Sequence, residues 1–494
     1  MIGPEDVKNG RGVVNKFAPR TKSETAEVIL TIPQSITALA IIACVVASII
    51  MFGYMPVLLG FAGTITLIYV TVIIFKSLLT VKSLESALIK VSIEELDALT
   101  KGPELPRYTI LVPLFDEHEI ASKLIMNLTN LDYPTDRLQI ILLLEEKDSQ
   151  TLGEINSQAL PPHFEVLIMP DSNLKTKPKA CNEGLKRATG EFVVIYDAED
   201  RPEPDQLKKA VVCFRKVSRR VACIQAKLEY FNPQTNWITR FFSAEYATYF
   251  NLILPGLGRL GMPVPLGGTS NHFRTQTLLG LGGWDMYNVT EDIDMGIRIA
   301  RRRLQVKLMD SVTWEEANSH LGNLVRQRSR WKKGGMITFL VHSRNLVSLY
   351  RDLGFVNFVS FMVIVMTTPL TLLVNPIFWF MTLAYQATNA TFIEELYPLP
   401  IFYLGIFSIA LGNVLFVLYV MMGCKVRGLH GNIKWMVFAP LYWAILSFAT
   451  WKALYQLATR PHFWEKTNHG LVTEKDYLDH EAPKRSSAVS GAIR

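Results

Sequence analysis

The chain has 494 residues, of which 49% are hydrophobic and only 19% are charged, with a mean hydropathy of +0.20. This balance argues against a purely soluble protein and favours a soluble domain combined with a membrane domain. The net charge is +7, but no basic run is interleaved with aromatic residues, so we expect no nucleic-acid partner. The five cysteines lack metal-ligand spacing and are odd in number, which indicates reduced thiols.

Two apolar runs near the amino terminus, 35–53 and 57–79, each approach the roughly 20 residues that cross a hydrocarbon core. The linker between them is very short, so we expect a hairpin. Basic residues flank both ends, which predicts that both ends face the cytosol. The resulting division is a cytosolic segment over 1–34, a transmembrane hairpin over 35–80 and an amphipathic connecting helix within 81–106.

Short strand patterns then alternate with helix patterns over residues 107–333. This alternation predicts an α/β fold, a doubly wound and mostly parallel sheet, inserted between transmembrane helices. Ligands of such sheets bind at the carboxyl ends of the strands. The predicted strands are Tyr108–Leu114, Leu138–Leu144, Phe164–Met169 and Phe192–Tyr196, and helix patterns between them include Glu119–Leu131 and Lys179–Ala188.

The last part of the chain is again apolar. We expect an interfacial helix over 334–353 and channel helices over 354–457, with candidate spans at 354–386, 400–422 and 435–457. The first of these is too long for one straight span and contains two prolines, which predicts a kinked helix.

Basic residues before the last span favour five spans in all, which would place the tail over 458–494 on the side opposite to the soluble domain. Within that tail, residues 460–467 combine aromatic and basic side chains. We expect them to anchor the chain at the membrane interface, and a gating segment near the site is the alternative.

The most distinctive polar cluster follows the predicted strand Phe192–Tyr196. Asp197, Glu199 and Asp200 crowd at its carboxyl end, where like charges repel one another unless a cation lies among them. Carboxylate oxygens suit Mg²⁺ or Mn²⁺, with phosphate oxygens and water as the remaining ligands. A solvated acidic turn is the simpler alternative, but the position after an apolar strand favours a metal site.

Two further clusters follow along the chain. Glu291 and Asp292 come after a glycine-rich turn and begin a helix, which by itself is explained by helix capping. Gln327, Arg330 and Trp331 lie in a basic stretch, where a guanidinium matches a diphosphate and an indole can stack on a sugar. A membrane-interface helix with a tryptophan anchor would also explain this stretch.

The ordered combination is more specific than its parts. Asp197-x-Glu199-Asp200, Thr290-Glu291-Asp292 and Gln327-x-x-Arg330-Trp331, all between apolar segments, resemble the family-2 membrane glycosyltransferases. That group includes cellulose, hyaluronan and chitin synthases and related bacterial exopolysaccharide synthases. The resemblance is close over about 107–333.

The resemblance implies a role for each residue. It implies metal ligands at Asp197, Glu199 and Asp200, a general base at Asp292 with Glu291 beside it, and acceptor contacts at Gly268, Thr269 and Trp331. Nucleotide or diphosphate contacts are implied for the following residues: Glu145, Glu146, Lys177, Lys179, Asp197, Gln327, Arg328, Arg330 and Trp331. Glu145, Glu146 and Glu199 are glutamates where the family more often has aspartates.

The implied activity is processive, inverting β-transfer from a UDP-sugar, above all UDP-glucose, to a polysaccharide, with Mg²⁺ or Mn²⁺ as cofactor. Export of the product could be coupled to its synthesis, with accessory export subunits as further partners. A transferase that makes a glycolipid is the first alternative, and an export subunit with an inactive transferase domain is the second. The resemblance implies an integral protein of the bacterial inner membrane with a cytosolic catalytic domain.

Overall fold

The computed structural model describes residues 15–85, 88–102, 104–172 and 174–467. Two helices come first, a mixed domain follows, and helices end the described chain. The strands are β1 Leu88–Ile89, β2 Tyr108–Leu114, β3 Leu138–Glu145, β4 Phe164–Met169, β5 Phe192–Ile195, β6 Arg201–Pro202, β7 Val221–Tyr230, β8 Asn271–Arg274 and β9 Gln305–Glu315. The helices of the mixed domain and its connector are α3 Ile93–Lys101, α4 Ala121–Thr129, α5 Ser149–Ser157, α6 Lys177–Arg187, α7 Gln206–Lys216, α8 Trp237–Thr248, α9 Leu254–Leu260, α10 Thr275–Gly280 and α11 Glu291–Arg301. The remaining helices are α1 Ile32–Phe52, α2 Tyr54–Ser83, α12 Leu321–His342, α13 Leu346–Phe361, α14 Thr367–Thr388, α15 Thr391–Glu395, α16 Leu399–Phe407, α17 Asn413–Val426, α18 His430–Ile433 and α19 Ala439–Thr459.

The strands form one mixed sheet in the order β1-β9-β7-β8-β5-β2-β3-β4, and β6 pairs with β9. Five pairings are parallel, and β8 and β6 supply the antiparallel ones. Successive side chains of β2 alternate between two cores, with Ile110 and Val112 on one face and Leu111 on the other. Both faces are therefore buried, as in a doubly wound sheet, and the strands are nearly continuous apolar runs for that reason.

The predicted strands all exist within a residue of their expected ends, and α4 and α6 fall in the expected helix regions. The single connecting helix expected within 81–106 is wrong. Residues 81–83 are the end of α2, residues 88–89 form β1, which adds to the sheet edge beside β9, and residues 93–101 form the separate helix α3. A two-residue edge strand has too little pattern to be recognised from its own sequence.

Helix α2 is fastened to the mixed domain by a close backbone contact. A Cβ atom built on Gly256 of α9 would lie 2.3 Å from the carbonyl oxygen of Leu79 in α2. Only glycine allows the two helices to approach this closely. The contact fixes the apolar hairpin against the domain that carries the polar clusters.

Within the described part of the chain, five helical segments are long and apolar enough to cross a membrane, judged by length and composition. They are Ile32–Phe52, Tyr54–Ser83, Leu321–Thr388, Leu399–Val426 and His430–Thr459. The third has non-helical dihedrals at Gly354 and a π-helical turn over Met362–Met366, and α14 contains Pro376 within its length. The long apolar run at 354–386 thus forms an irregular continuous helix, in agreement with the expected kink.

The fifth segment changes the predicted topology, because both of its ends contact the mixed domain. Before α19, Asn432 Nδ2 donates to Pro233 O at 3.1 Å. After α19, Lys466 Nζ donates to Phe115 O at 2.9 Å. Helix α19 also packs along α12. The expectation that the tail lies opposite the soluble domain is therefore wrong for its described part, residues 460–467.

Candidate active site

The three polar clusters predicted from the sequence line one cavity of about 1890 Å³. It begins at the carboxyl end of the central strands and continues between α2, α14, α16 and α17. Its polar end includes Asp197, Glu199, Glu291, Asp292 and Arg330. Carboxyl ends of adjacent parallel strands meet at one edge of a sheet, which is why residues far apart in sequence converge there.

The acidic group after β5 is built in two layers. Asp197 and Glu199 line the cavity, whereas Asp200 lies beneath them and is fully buried. One carboxylate oxygen of Asp200 accepts from the Asp197 backbone N–H at 2.7 Å and from the Thr269 hydroxyl. Its other oxygen, Oδ1, has no partner among the described residues. Burial, together with Asp197 and Glu199, raises the pKa of Asp200 well above its usual range.

Lys177 connects the acidic group to the glycine-rich segment before β8. Its Nζ donates to Gly268 O at 2.7 Å and forms an ion pair with Asp197. Burial alone would lower the pKa of Lys177, but Asp197 and Glu291 raise it above the ordinary value. Lys177 is therefore a permanent cation in the cavity wall.

Several predicted contacts fall outside the cavity. Glu145 lines it but Glu146 does not, because successive residues at a strand end point in opposite directions. Lys177 lines it but Lys179 does not, because residues two apart on a helix face different sides. Glu146 Oε2 instead accepts from the Asp171 backbone, and Lys179 bonds to Ser172.

Thr269 also points away from the cavity and holds Asp200, so direct acceptor contact by Thr269 is wrong. Its neighbour Gly268 does line the cavity, and a Cβ built there would lie 3.7 Å from Asp292 Oδ2. The small residue leaves room beside that carboxylate.

Glu291 and Asp292 begin helix α11, where the helix dipole favours negative charge. Burial nevertheless raises the pKa of Glu291 to about 7 and that of Asp292 to about 6, although Lys177 partly opposes both shifts. A carboxylate poised near neutrality can accept a proton at working pH.

Helix α12 presents Gln327, Arg330 and Trp331 to the cavity from one face, since residues three and four apart are neighbours on a helix. Arg328 also touches the cavity, but it is 3% exposed and forms an ion pair with Glu245 at 2.6 Å. Its guanidinium stacks on the Trp331 ring at 4.6 Å. Arg328 thus fixes the position of Trp331. The predicted diphosphate contact of Arg328 is wrong, because its guanidinium is already paired with Glu245.

Residues 460–467 lie over this site. Trp464 stacks on the Arg330 guanidinium at 4.3 Å, and Lys333 Nζ donates to Phe463 O at 2.7 Å. Lys466 contacts Glu117, whose pKa burial and Glu199 raise to about 8. The prediction of a plain interfacial anchor is wrong, because these side chains line the cavity. Of the two interpretations of this stretch, only the alternative, a gating segment, placed these residues near the site.

Gly334 sets the spacing between the two helices that carry the catalytic clusters. A Cβ at this position would lie 2.2 Å from Thr290 Oγ1, at the start of α11. We expect Gly334→Ala to displace Glu291 and Asp292, to cost about 1–3 kcal/mol of stability and to lower activity about 100-fold. Thermal unfolding and initial rates measure both effects.

Gly322→Ala, also in α12, is the matched control, since Gly322 is exposed and nothing lies within 4 Å of a Cβ built there. It should retain near wild-type stability and rate. Equal behaviour of the two variants would contradict the assigned helix contact.

The fold is an α/β domain with a mostly parallel, mixed sheet, and its polar site lies at the carboxyl ends of the strands. Residues 106–334 match the family described as "Glycosyltransferase like family 2". This match agrees with the sequence-based prediction of a family-2 glycosyltransferase domain in this part of the chain.

Similar curated proteins include the probable glycosyltransferase YdaM of Bacillus subtilis (strain 168), 25% identical over 240 residues, covering 48% of this chain and 57% of the relative. A beta-monoglucosyldiacylglycerol synthase of Trichormus variabilis is 27% identical over 241 residues, with 48% and 50% covered. Glucomannan 4-beta-mannosyltransferase 2 of Arabidopsis thaliana is 24% identical over 244 residues, with 46% and 44% covered. The chain spans about half the length of these relatives.

Among solved structures, the mannosyltransferase PcManGT of Pyrobaculum calidifontis, in complex with GDP-Man and Mn²⁺, is 16% identical with a TM-score of 0.42. The matched region covers 79% of this chain and 99% of the PcManGT chain.

Proposed function

We propose that the protein is an inverting glycosyltransferase that moves a sugar from a nucleoside diphosphate to an acceptor hydroxyl within a membrane-embedded cavity. The observation that supports this most strongly is the continuity of the cavity, which runs from Asp197 and Asp292 to the apolar helices. One end suits a charged donor, and the other suits an acceptor held between membrane helices.

In this mechanism Asp292 takes the proton from the acceptor hydroxyl while that oxygen attacks the anomeric carbon. The bond between that carbon and the diphosphate oxygen breaks, and the nucleoside diphosphate leaves. One displacement inverts the anomeric centre, so an α-linked donor gives a β-linked product. Arg330 and Lys177 are placed to stabilise the negative charge that grows on the diphosphate.

The donor set after β5 fits a divalent cation. Asp197 and Glu199 offer hard carboxylate oxygens to the cavity. Behind them lies Oδ1 of Asp200, which has no partner in the part of the chain that the structure describes. Among the described residues, no three acidic, histidine or cysteine side chains converge to enclose a metal. That arrangement suits Mg²⁺ or Mn²⁺ held by one or two carboxylates plus substrate phosphates. Such a cation supplies Lewis-acid stabilisation of the leaving diphosphate.

We further propose polysaccharide elongation as the product chemistry, with UDP-glucose as the leading donor. Helix α14 lines the cavity with a stripe of hydroxyl, amide and aromatic side chains, which are the groups that hydrogen-bond to and stack on sugars. The stripe consists of Thr367, Thr368, Thr371, Asn375, Phe378, Trp379, Thr382 and Gln386. Its spacing of three and four residues keeps it on one helix face.

A glycolipid product is the second candidate. The walls opposite the stripe are apolar, with Phe402, Ile406 and Ile409 of α16 and the π-helical turn after it. These side chains suit an acyl chain, and two relatives are named as glycolipid synthases. Incubation of the purified protein with a panel of UDP-sugars and Mg²⁺ or Mn²⁺ separates the two candidates. Polymer sensitive to a β-specific hydrolase supports the first, a single glycolipid supports the second, and absence of any donor turnover contradicts both.

We place the catalytic domain on the cytosolic side of a bacterial inner membrane and propose that elongation is coupled to export, with accessory export subunits as partners. Sealed inside-out vesicles supplied with UDP-sugar test the coupling. Polymer that accumulates inside the vesicles supports export, and polymer that remains wholly on the donor side contradicts it.

The raised pKa values predict the pH dependence of transfer. A base must be ionised to accept a proton, so kcat/KM should fall about tenfold per pH unit below pH 6 and level off above about pH 7. Initial rates between pH 5 and 9 measure this profile. The surface variant Asp136→Asn should keep the wild-type curve, whereas a flat profile from pH 5 to 8 would contradict the assignment of the base.

A further inference from the structure

Two lysines in the acceptor part of the cavity have no role in the mechanism above. Lys76 comes from α2, and Lys332 follows Trp331 in α12. Both line the cavity. Among the residues that the structure describes, neither amine has an ion pair or a hydrogen bond. Lys76 Nζ lies over the Phe416 ring, 4.7 Å from its centroid. Two amines turned into one cavity require an explanation, since charges at membrane depth are costly.

The acidic groups nearby do not neutralise them. Glu245 interacts electrostatically with both amines, but its carboxylate is bonded to Arg328 and to the hydroxyl of Tyr442. Lys76, Lys332 and Arg328 contribute three positive charges and Glu245 one negative, which leaves an excess of two. The other carboxylates of the cavity lining interact with other groups. Asp292 interacts with Lys177 and Arg330, and Glu315 with the acidic group after β5. Glu394 accepts from the Tyr385 hydroxyl.

Snorkelling to the lipid headgroups is the ordinary explanation for a lysine near the end of a membrane helix. It does not fit Lys76, because the amine points inward over Phe416 rather than outward to the surface of the bilayer. The neighbouring Ser77 hydroxyl bonds to Tyr419 at 2.6 Å, which fixes this face of α2 against α17.

We propose that Lys76 and Lys332 form an anion site for the acceptor, and that the acceptor is a glycan that carries acidic groups, such as the carboxylates of uronic acid units. Lys332 follows Trp331 directly in α12 and interacts electrostatically with Lys76. Both lysines, Trp331 and the polar stripe of α14 line the same cavity. A stripe of hydroxyl, amide and aromatic groups favours a glycan over a lipid phosphate as the source of the negative charge. This inference rests on the proposed function and specifies its substrate class.

The test uses the full chain in phosphatidylcholine nanodiscs and two acceptors with one backbone: a neutral β-glucan hexasaccharide and the same hexasaccharide oxidised at C6 to uronic acid. Wild-type protein should bind the oxidised acceptor more tightly. Lys76→Met and Lys332→Met should each reduce the preference, measured as the ratio of the two acceptor KM values, by about tenfold, or about 1.4 kcal/mol. Lys101→Met, on the exposed surface of α3, is the matched control and should keep the wild-type ratio.

Equilibrium binding of the two hexasaccharides is measured in parallel, so that the charge preference is tested even if no transfer is detected. Absence of transfer with a retained preference would contradict the proposed function and not the anion site. An equal affinity of wild-type protein for both acceptors would overturn the anion site. It would also be overturned if the lysine variants alter transfer only in phosphatidylglycerol nanodiscs, because lipid phosphate would then be the anion.

Discussion

Asp292→Asn is expected to lower the rate of sugar transfer by about a thousandfold while the fold and donor binding persist. General-base contributions are typically about 10²–10⁴-fold, and the amide cannot accept the proton of the acceptor hydroxyl. The substitution is nearly isosteric, and the backbone of Ile293, which donates to Asp292 Oδ1 at 2.8 Å, can still donate to the amide oxygen. Initial rates at saturating donor and acceptor measure the effect.

Glu291→Gln decides which carboxylate is the base. Glu291 is 5% exposed and its pKa is also near neutrality, so it is the other candidate for the general base. We expect a smaller loss for Glu291→Gln, with the pH profile of transfer retained. A larger loss for Glu291→Gln than for Asp292→Asn would transfer the role to Glu291. Donor binding by both variants, measured calorimetrically with the nucleoside diphosphate, separates a catalytic loss from misfolding.

Asp197→Asn is expected to have the second large effect, a loss of about 100- to 1000-fold in kcat/KM. Within the acidic cluster, the Asp197 carboxylate forms the ion pair with Lys177. Its loss removes a candidate metal ligand and frees Lys177 to shift. The affinity for nucleoside diphosphate in the presence of Mn²⁺ should fall in parallel, and titration calorimetry measures it independently of turnover.

Asp200→Asn distinguishes a ligand from a positioning residue. Asp200 holds the Asp197 backbone and Thr269, so its variant should lower thermal stability as well as activity. Asp197→Asn should leave stability nearly unchanged, since Asp197 is partly exposed to the cavity. If both variants retain wild-type affinity for the diphosphate with Mn²⁺, the acidic cluster is not the metal site. The exposed Asp136→Asn serves as the control for both.

The central strands could be predicted because each is a short apolar run buried on both faces, and such runs are visible in any local window. Strands β7, β8 and β9 were not predicted. Strand β8 has only four residues, including His272 and Arg274, and pairs antiparallel with β5 and β7 from distant parts of the chain. Its place in the sheet depends on non-local hydrogen bonds, and no local pattern encodes them.

The same distinction between local sequence patterns and non-local contacts holds for the site residues. The sequence by itself determined which residue types are present for the chemistry, since Asp197, Asp292 and Arg330 can be recognised by their order and their neighbours. Only the tertiary structure decided which side chains meet: Glu145 and Lys177 face the cavity, while Glu146 and Lys179 face away. The physical reason is that side-chain direction depends on the phase of a strand or helix against its packing partners. A shift of one residue reverses this direction in a strand and turns it by about 100° in a helix. The position of α19 and of residues 460–467 was decided in the same way, because hydropathy records how apolar a helix is and not which surface it packs against.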